Sequence, residues 1–200
     1  MKEFLRLVIA LTLIAAVSGV ILAAVESVTR EPIAEQRRLQ MLRALSAVLP
    51  EFDNHPDADT ITITTGTDRQ GRPVDTTFYR GRKDQQLTGT AFQVVAPDGY
   101  SGNIAVMVGV RPDHSVHAIE ILTHAETPGL GDKISEPWYK ALFTNKTLEN
   151  SDWRVKKDGG DFDQLTGATI SARAVVGAVR TGLELYREHE EKISAHGGDQ

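Results

Sequence analysis

Two short segments carry residue types that suit ligand chemistry as well as folding. The first is His124-Ala125-Glu126-Thr127-Pro128-Gly129-Leu130-Gly131. Pro128 fixes one backbone angle, while Gly129 and Gly131 permit conformations or close approaches that a β-carbon would block. Such a segment is either a Pro-Gly turn with solvated His124 and Glu126, or a rigid loop whose backbone lies against a flat ligand with polar side chains at its edge. The second is Asp163-Gln164-Leu165-Thr166-Gly167-Ala168-Thr169-Ile170-Ser171. It opens an apolar-periodic stretch with a glycine turn, and a helix N-terminus there would point unpaired N–H groups and positive dipole at an anion such as phosphate. Thr166 and Thr169 add hydroxyls, and Ser171 is a candidate N-cap. The turn lacks the lysine of a P-loop and the third glycine of a dinucleotide fingerprint, so neither of those sites is supported.

Other reactive pairings are thinner. His114 and His117 have an H-x-x-H spacing but flank a turn without further convergent ligands, whereas zinc needs three or four. Ser101, His124 and Asp132 contain the residue types of a hydrolase triad, yet nothing local resembles a nucleophile elbow. Trp138 and Tyr139 read as packing residues of a short helix, with a place beside a ligand as the alternative. His189 and His196 sit in a charged C-terminal stretch and read as solvated.

Composition narrows the classes. The 200 residues are 40% apolar and 24% charged, which excludes wholesale disorder. Twenty-two basic against 27 acidic residues give a net charge of −5, with no basic excess to hold nucleic acid. The cysteine count of 0 removes disulfides, thiolate catalysis and iron–sulfur ligation by this chain. A redox role therefore needs a cofactor held by other chemistry.

The elements that must position the two segments follow from periodicity. Leu7–Val25 is uncharged, and as a helix it covers roughly 28 Å, enough for a bilayer core. Its Ala-Ala-Val end also fits a cleaved signal peptide, but the length favours an uncleaved anchor. Lys2 and Arg6, opposed only by Glu3, favour a cytoplasmic N-terminus and an exported remainder. Without those three residues the chain has 20 basic and 26 acidic residues, a net of −6. A mildly acidic, cysteine-free exported domain fits the bacterial periplasm.

A helix starting at Thr29 or Glu31, with Pro32 in its first turn and Pro50 at its end, reads as a stalk with a Leu42, Leu45, Leu49 stripe. Thr60–Thr65, Thr76–Arg80, Thr90–Val95, Ile104–Val110 and Val116–Leu122 read as strands. The turns between them are Asp68–Gly71, Gly81–Asp84, Pro97–Gly102 and Arg111–Ser115. Their shortness argues for antiparallel pairing. A short helix over Pro137–Phe143 follows, with Ser135 as its cap. A longer helix over Ser171–Glu190 presents Ala172, Val175, Val176, Val179, Leu183 and Tyr186 on one face. The fold class is α+β: a transmembrane helix (1–28), a stalk helix and linker (29–58), an antiparallel-sheet domain with a C-terminal helix (59–193), and a loose tail (194–200).

HAETPGLG followed about forty residues later by DQLTGATIS resembles the FMN-binding domain of the G subunit of the Rnf electron-transport complex. The C subunit of the sodium-translocating NADH:quinone reductase is a close relative of that family. The resemblance extends over the anchor, the stalk, the Gly99-Tyr100-Ser101-Gly102 turn and the last helix, and a length near 200 is closer to the Rnf subunit. It implies FMN carried by Thr169 through a phosphoester bond, within a motif matched at Asp163, Thr166, Gly167 and Ala168. Gln164 departs from it, since the family often has an aliphatic residue there. The His124–Gly131 loop would then pack on the isoalloxazine. Gly129 and Gly131 would allow backbone approach, Leu130 would give an apolar contact and Thr127 a donor. His124 and Glu126 would either bond the ring edge or brace the loop.

The resemblance implies a redox subunit of a multi-subunit oxidoreductase in the bacterial inner membrane, without catalytic side chains of its own. It would relay electrons between ferredoxin- and NAD-linked partners. Its partners would be iron–sulfur and multi-span membrane subunits, with a flavin transferase supplying FMN from FAD. The alternatives are the quinone-reductase subunit and a flavin-binding regulatory or scaffold module that carries no current. Neighbouring genes for the other subunits would separate these.

Overall fold

The computed structural model describes residues 1–67 and 71–195, and the chain divides into two compact units, Met1–Met41 and Leu42–Gln200. In the first, helix α1 (Lys2–Val48) begins. It is long and apolar enough to cross a membrane, and none of its apolar span is buried in protein. The expected second helix start at Thr29 or Glu31 is absent, and α1 runs through Pro32. The hydroxyl that would cap a new helix, Thr29 Oγ1, donates instead to the Val25 carbonyl one turn back, at 2.8 Å. Pro32 removes one helical hydrogen bond, and the strong helix formers Ala34, Glu35, Gln36 and Arg37 carry the helix onward.

In the second unit, five strands form an antiparallel meander in the order β1-β2-β3-β4-β5. They are β1 (Thr60–Thr67), β2 (Pro73–Lys83), β3 (Gln86–Ala96), β4 (Ile104–Val110) and β5 (Val116–Thr123). The expected strands are present, and β2 and β3 are longer than expected. Their reversal is at Asp84 and Gln85, with φ of +51° and +66°, not over Gly81–Asp84. A two-residue hairpin of type I′ needs positive φ at both central positions, and here Asp and Gln supply it. The strand glycines serve space: a Cβ on Gly109 would lie 1.9 Å from the Val48 carbonyl oxygen, and one on Gly89 2.5 Å from Pro50 Cδ. The buried end of the stalk stripe, Leu45, Val48 and Leu49, thereby packs directly on sheet backbone. Asp68–Gln70 of the first expected turn, and the tail from His196 onward, lie outside the described residues.

Helix α3 (Thr169–Ser194) covers β3 and β4. All six residues of its expected apolar face are buried. Tyr186 stacks on Phe92 at 6.1 Å, and Phe92 meets Phe78 at 5.3 Å. Ser194, placed by expectation in the tail, closes this helix. Between β5 and α3 lie a 3₁₀ turn (Gly131–Ser135), the short helix α2 (Pro137–Ala141) and a second 3₁₀ turn (Lys156–Asp158). Ser135 does not cap α2: Glu136 is its N-cap, without a side-chain bond, and Pro137 takes the first helical position, where a missing N–H costs nothing. Phe143, Trp153 and Phe162 stack with centroids 4.9 to 6.3 Å apart, and Tyr139 meets Phe143 at 5.7 Å. This cluster anchors the connection that leads into α3.

Candidate functional site

β5 delivers the first motif as a tight loop. The Thr127 carbonyl accepts N–H groups from Leu130, Gly131 and Asp132 at 3.2, 3.0 and 3.3 Å. Gly129 holds φ +76°, which favours glycine, and faces open space. Gly131 is needed for a different reason: a Cβ there would lie 2.7 Å from Glu126 Oε2 and 2.9 Å from Ser171 Oγ.

Glu126 is the pivot. Only 4% exposed, its carboxylate accepts the Ser101 N–H at 3.0 Å on Oε1 and the Ser171 hydroxyl on Oε2. One buried side chain thus ties together the Gly99–Gly102 turn, the His124–Gly131 loop and the first turn of α3. Buried carboxylates need such partners, and bonds to a charged group are the stronger kind. His124 Nδ1 accepts the Glu126 N–H at 3.2 Å, so both residues brace the loop.

The second motif enters α3 through a turn closed by Ala168 N–H to the Leu165 carbonyl, 3.0 Å, with Gly167 at φ +80°. Helix α3 begins at Thr169, earlier than expected. Ser171 is therefore not its cap but a fully buried first-turn residue bonded to Glu126. The N-cap is Ala168, with no side-chain cap bond and no acidic residue in the first turn. The leading N–H groups are thus presented beside the Thr169 hydroxyl. Tyr139 Oη donates to the Ala172 carbonyl at 3.2 Å, fixing α2 against this turn. Burial raises the pKa of that phenol, which stays protonated.

The two motifs meet at a cavity of about 520 Å³. Glu126, Thr127, Leu130 and Gly131 line one side, and Gly167, Ala168, Thr169, Ile170 and Ser171 the other. Thr166 and Gly129 are exposed outside it, His124 is not in its lining, and Asp163 pairs with Lys156 at 2.7 Å. Tyr100 and Lys157 complete the lining, and neither was among the residues expected at the site. An aromatic inside Gly-Tyr-Ser-Gly was a usable signal for Tyr100; a lysine in a charged run offered none for Lys157. A larger groove of about 1060 Å³ lies between α3 and strands β1 to β3, but it shares only Ile170 with the motifs. Convergence of the motifs, not size, marks the smaller cavity as the candidate site.

The remaining candidates separate from it. His114 Nε2 pairs with Glu190 at 2.8 Å and His117 Nδ1 with Arg111 at 2.7 Å. Among the described residues no cluster of His, Asp and Glu is arranged for a metal. His189 Nδ1 lies 3.0 Å from the Leu185 carbonyl of its own helix. Tyr139 is core, and Trp138 is half exposed outside the cavity lining.

Comparison with known proteins identifies the family. Residues 99–184 match the FMN-binding domain model, and residues 1–48 match the model of the RnfG N-terminal region. The chain is 40% identical to the G subunit of the ion-translocating oxidoreductase complex of Aliivibrio fischeri strain ES114, over 94% of this chain and 91% of that protein. It is 38% identical to the corresponding protein of Pseudomonas aeruginosa UCBPP-PA14, which bears the same name, over 97% and 94%. The crystal structure of Shewanella oneidensis NqrC superposes with a TM-score of 0.50 at 18% identity, over 75% of this chain and 73% of that one, a likeness of fold. With an N-terminal apolar helix, an FMN-binding domain and identity at this level over most of its length, the chain belongs to the family of G subunits of ion-translocating oxidoreductase (Rnf) complexes.

Proposed function

We propose that this chain is a membrane-anchored flavoprotein subunit that relays electrons within an Rnf complex through FMN esterified to Thr169. One observation carries the reading: the Thr169 hydroxyl and the uncapped first turn of α3 share a cavity with the His124–Gly131 loop. The residues fit the group. About 520 Å³ is in the range of small-molecule sites, and Tyr100, Leu130 and Ile170 are exposed apolar surfaces at 68%, 44% and 46%. The first-turn N–H groups and helix dipole suit a phosphoryl charge on Thr169.

When bound, the flavin supplies one- and two-electron chemistry, and the protein supplies position and electrostatics. Thr169 holds the phosphoryl group, and Gly167 and Ala168 shape the turn that presents it. Leu130 and Thr127 face the ring system, while Glu126, steadied by His124, keeps the two motifs in register. Thr166 and Asp163 lie outside the cavity and act on the turn's conformation and on its surface. A covalent link suits an exported domain with no flavin pool to refill it, and threonine suits a chain without cysteine. Expression with a flavin transferase gives yellow protein; expression without it gives colourless protein. Colour that persists through denaturation without the transferase contradicts the reading.

The division into an anchor (1–28), a stalk and linker (29–58), and an FMN-binding domain (59–193) is part of the same reading. So is an N-terminus in the cytoplasm with the domain in the periplasm. Iron–sulfur and multi-span membrane subunits are its partners. An alkaline-phosphatase fusion after Gln200 is therefore active in a bacterial host. Activity only with the enzyme fused at the N-terminus contradicts the orientation, and a mature N-terminus near Ala24 shows a cleaved signal.

The loop has its own test. A Cβ at Gly129 meets no neighbour, but a side chain is strained at φ +76°, so Gly129→Val perturbs the loop's backbone and leaves the Thr169 hydroxyl in place. Flavin stays attached, while its absorption spectrum and reduction potential shift. Wild-type values for both would make the loop only a turn.

A further inference from the structure

We infer that Lys157, held in place by Gln164, is the counter-charge for the phosphoryl group on Thr169. The inference rests on the assignment of Thr169 as the attachment point. Lys157 lines the same cavity as the first turn of α3. Among the described residues its ammonium makes no ion pair, whereas both its neighbours are committed. Lys156 pairs with Asp163 at 2.7 Å, and Asp158 takes a two-point bond from Arg173 at 2.8 and 2.9 Å. Of these three consecutive charged residues, only Lys157 lines the cavity.

The backbone at Lys157 is fixed by Gln164. Gln164 Oε1 accepts the Lys157 backbone N–H at 3.1 Å. With the Lys156–Asp163 and Asp158–Arg173 pairs, this bond fastens the Lys156–Asp158 turn to the motif and to α3. An aliphatic residue at 164 cannot accept that N–H. Gln164 is thus a positioning residue, acting through Lys157. A cation here favours every state with negative charge at Thr169. That includes the attachment step, in which the hydroxyl oxygen bonds to the flavin-proximal phosphorus of FAD. The anhydride bond breaks, AMP leaves, and the hydroxyl proton passes to the transferase.

The test measures the initial rate of flavin attachment to the full chain in detergent, with purified flavin transferase and FAD, by in-gel fluorescence. At low salt, Lys157→Ala slows attachment about fivefold and Lys157→Glu slows it further, as expected for one partly exposed charge, while Lys157→Arg stays near wild type. Raising ionic strength to about 0.5 M narrows the gap between wild type and Lys157→Ala. Gln164→Leu loses part of the rate with Lys157 present and nothing more in combination with Lys157→Ala. Thermal melts of the exposed-residue variants match wild type, which separates the effect from folding. Equal rates for Lys157→Ala and wild type at low salt overturn the inference, as does Lys157→Arg as slow as Lys157→Ala. Attachment to Thr169→Val would instead overturn the assignment on which it rests.

Discussion

Thr169→Val yields a protein that folds, inserts and carries no covalent flavin. Valine replaces the hydroxyl with a methyl of nearly the same size at the first residue of α3, a half-buried position at the cavity wall. The helix start relies on no side-chain cap from this residue, so the stability cost is under about 1 kcal/mol. The phosphoester has no oxygen to form on, so fluorescence after denaturing electrophoresis disappears entirely. Thr166→Val is milder, because Thr166 is exposed in the preceding turn and does not line the cavity. Its attachment slows but still reaches completion. Fluorescence retained in Thr169→Val would move the attachment point elsewhere.

Gly131→Val has the second-largest effect, on folding as well as on the flavin. Its Cβ would come 2.7 Å from Glu126 Oε2 and 2.9 Å from Ser171 Oγ, inside contact distance of the bond that joins the loop to α3. Overpacking of this kind costs about 1–3 kcal/mol, and displacing Ser171 deprives a buried carboxylate of a partner. A melting temperature lowered by several degrees is expected, with flavin attachment reduced about tenfold or more as Thr169 shifts relative to the loop. Gly131→Ala moves both in the same direction by less. Glu126→Gln supplies the control: it keeps the shape, weakens the charged bonds to Ser171 and the Ser101 N–H, and shifts the flavin spectrum with a smaller loss of stability. Wild-type melting and attachment in Gly131→Val would show that no such clamp operates.

Much of this was legible in the residues. Period-two runs with short turns specified the meander, and the Ala172–Tyr186 stripe specified the buried face of α3, because both patterns are local. The proposal for Thr169 rests on the two motifs taken together; Thr-Gly-Ala-Thr alone is a turn. What escaped depends on contacts distant in sequence. Ser171 looked like a cap because capping is a local rule, yet Glu126, from the other motif, recruits its hydroxyl. The choice between ring contact and brace for His124 and Glu126 had no local answer either. Lys157 lines the cavity from a turn fastened by Gln164 and two ion pairs, contacts that no local rule announces. Pro32 misled in the other direction: a local helix signal was overridden by the helix formers around it.

The most direct measurement is intact and peptide mass spectrometry of denatured protein from cells that hold the transferase. The tryptic fragment from Asp158 to Arg173 contains Thr166, Thr169 and Ser171, so fragmentation within it discriminates among the three hydroxyls. Attachment at the opening of α3 predicts whole protein heavier by FMN less one water, with the added mass on Thr169 alone. An unmodified Thr169, or the added mass on Thr166, Ser171 or any residue outside this fragment, contradicts it.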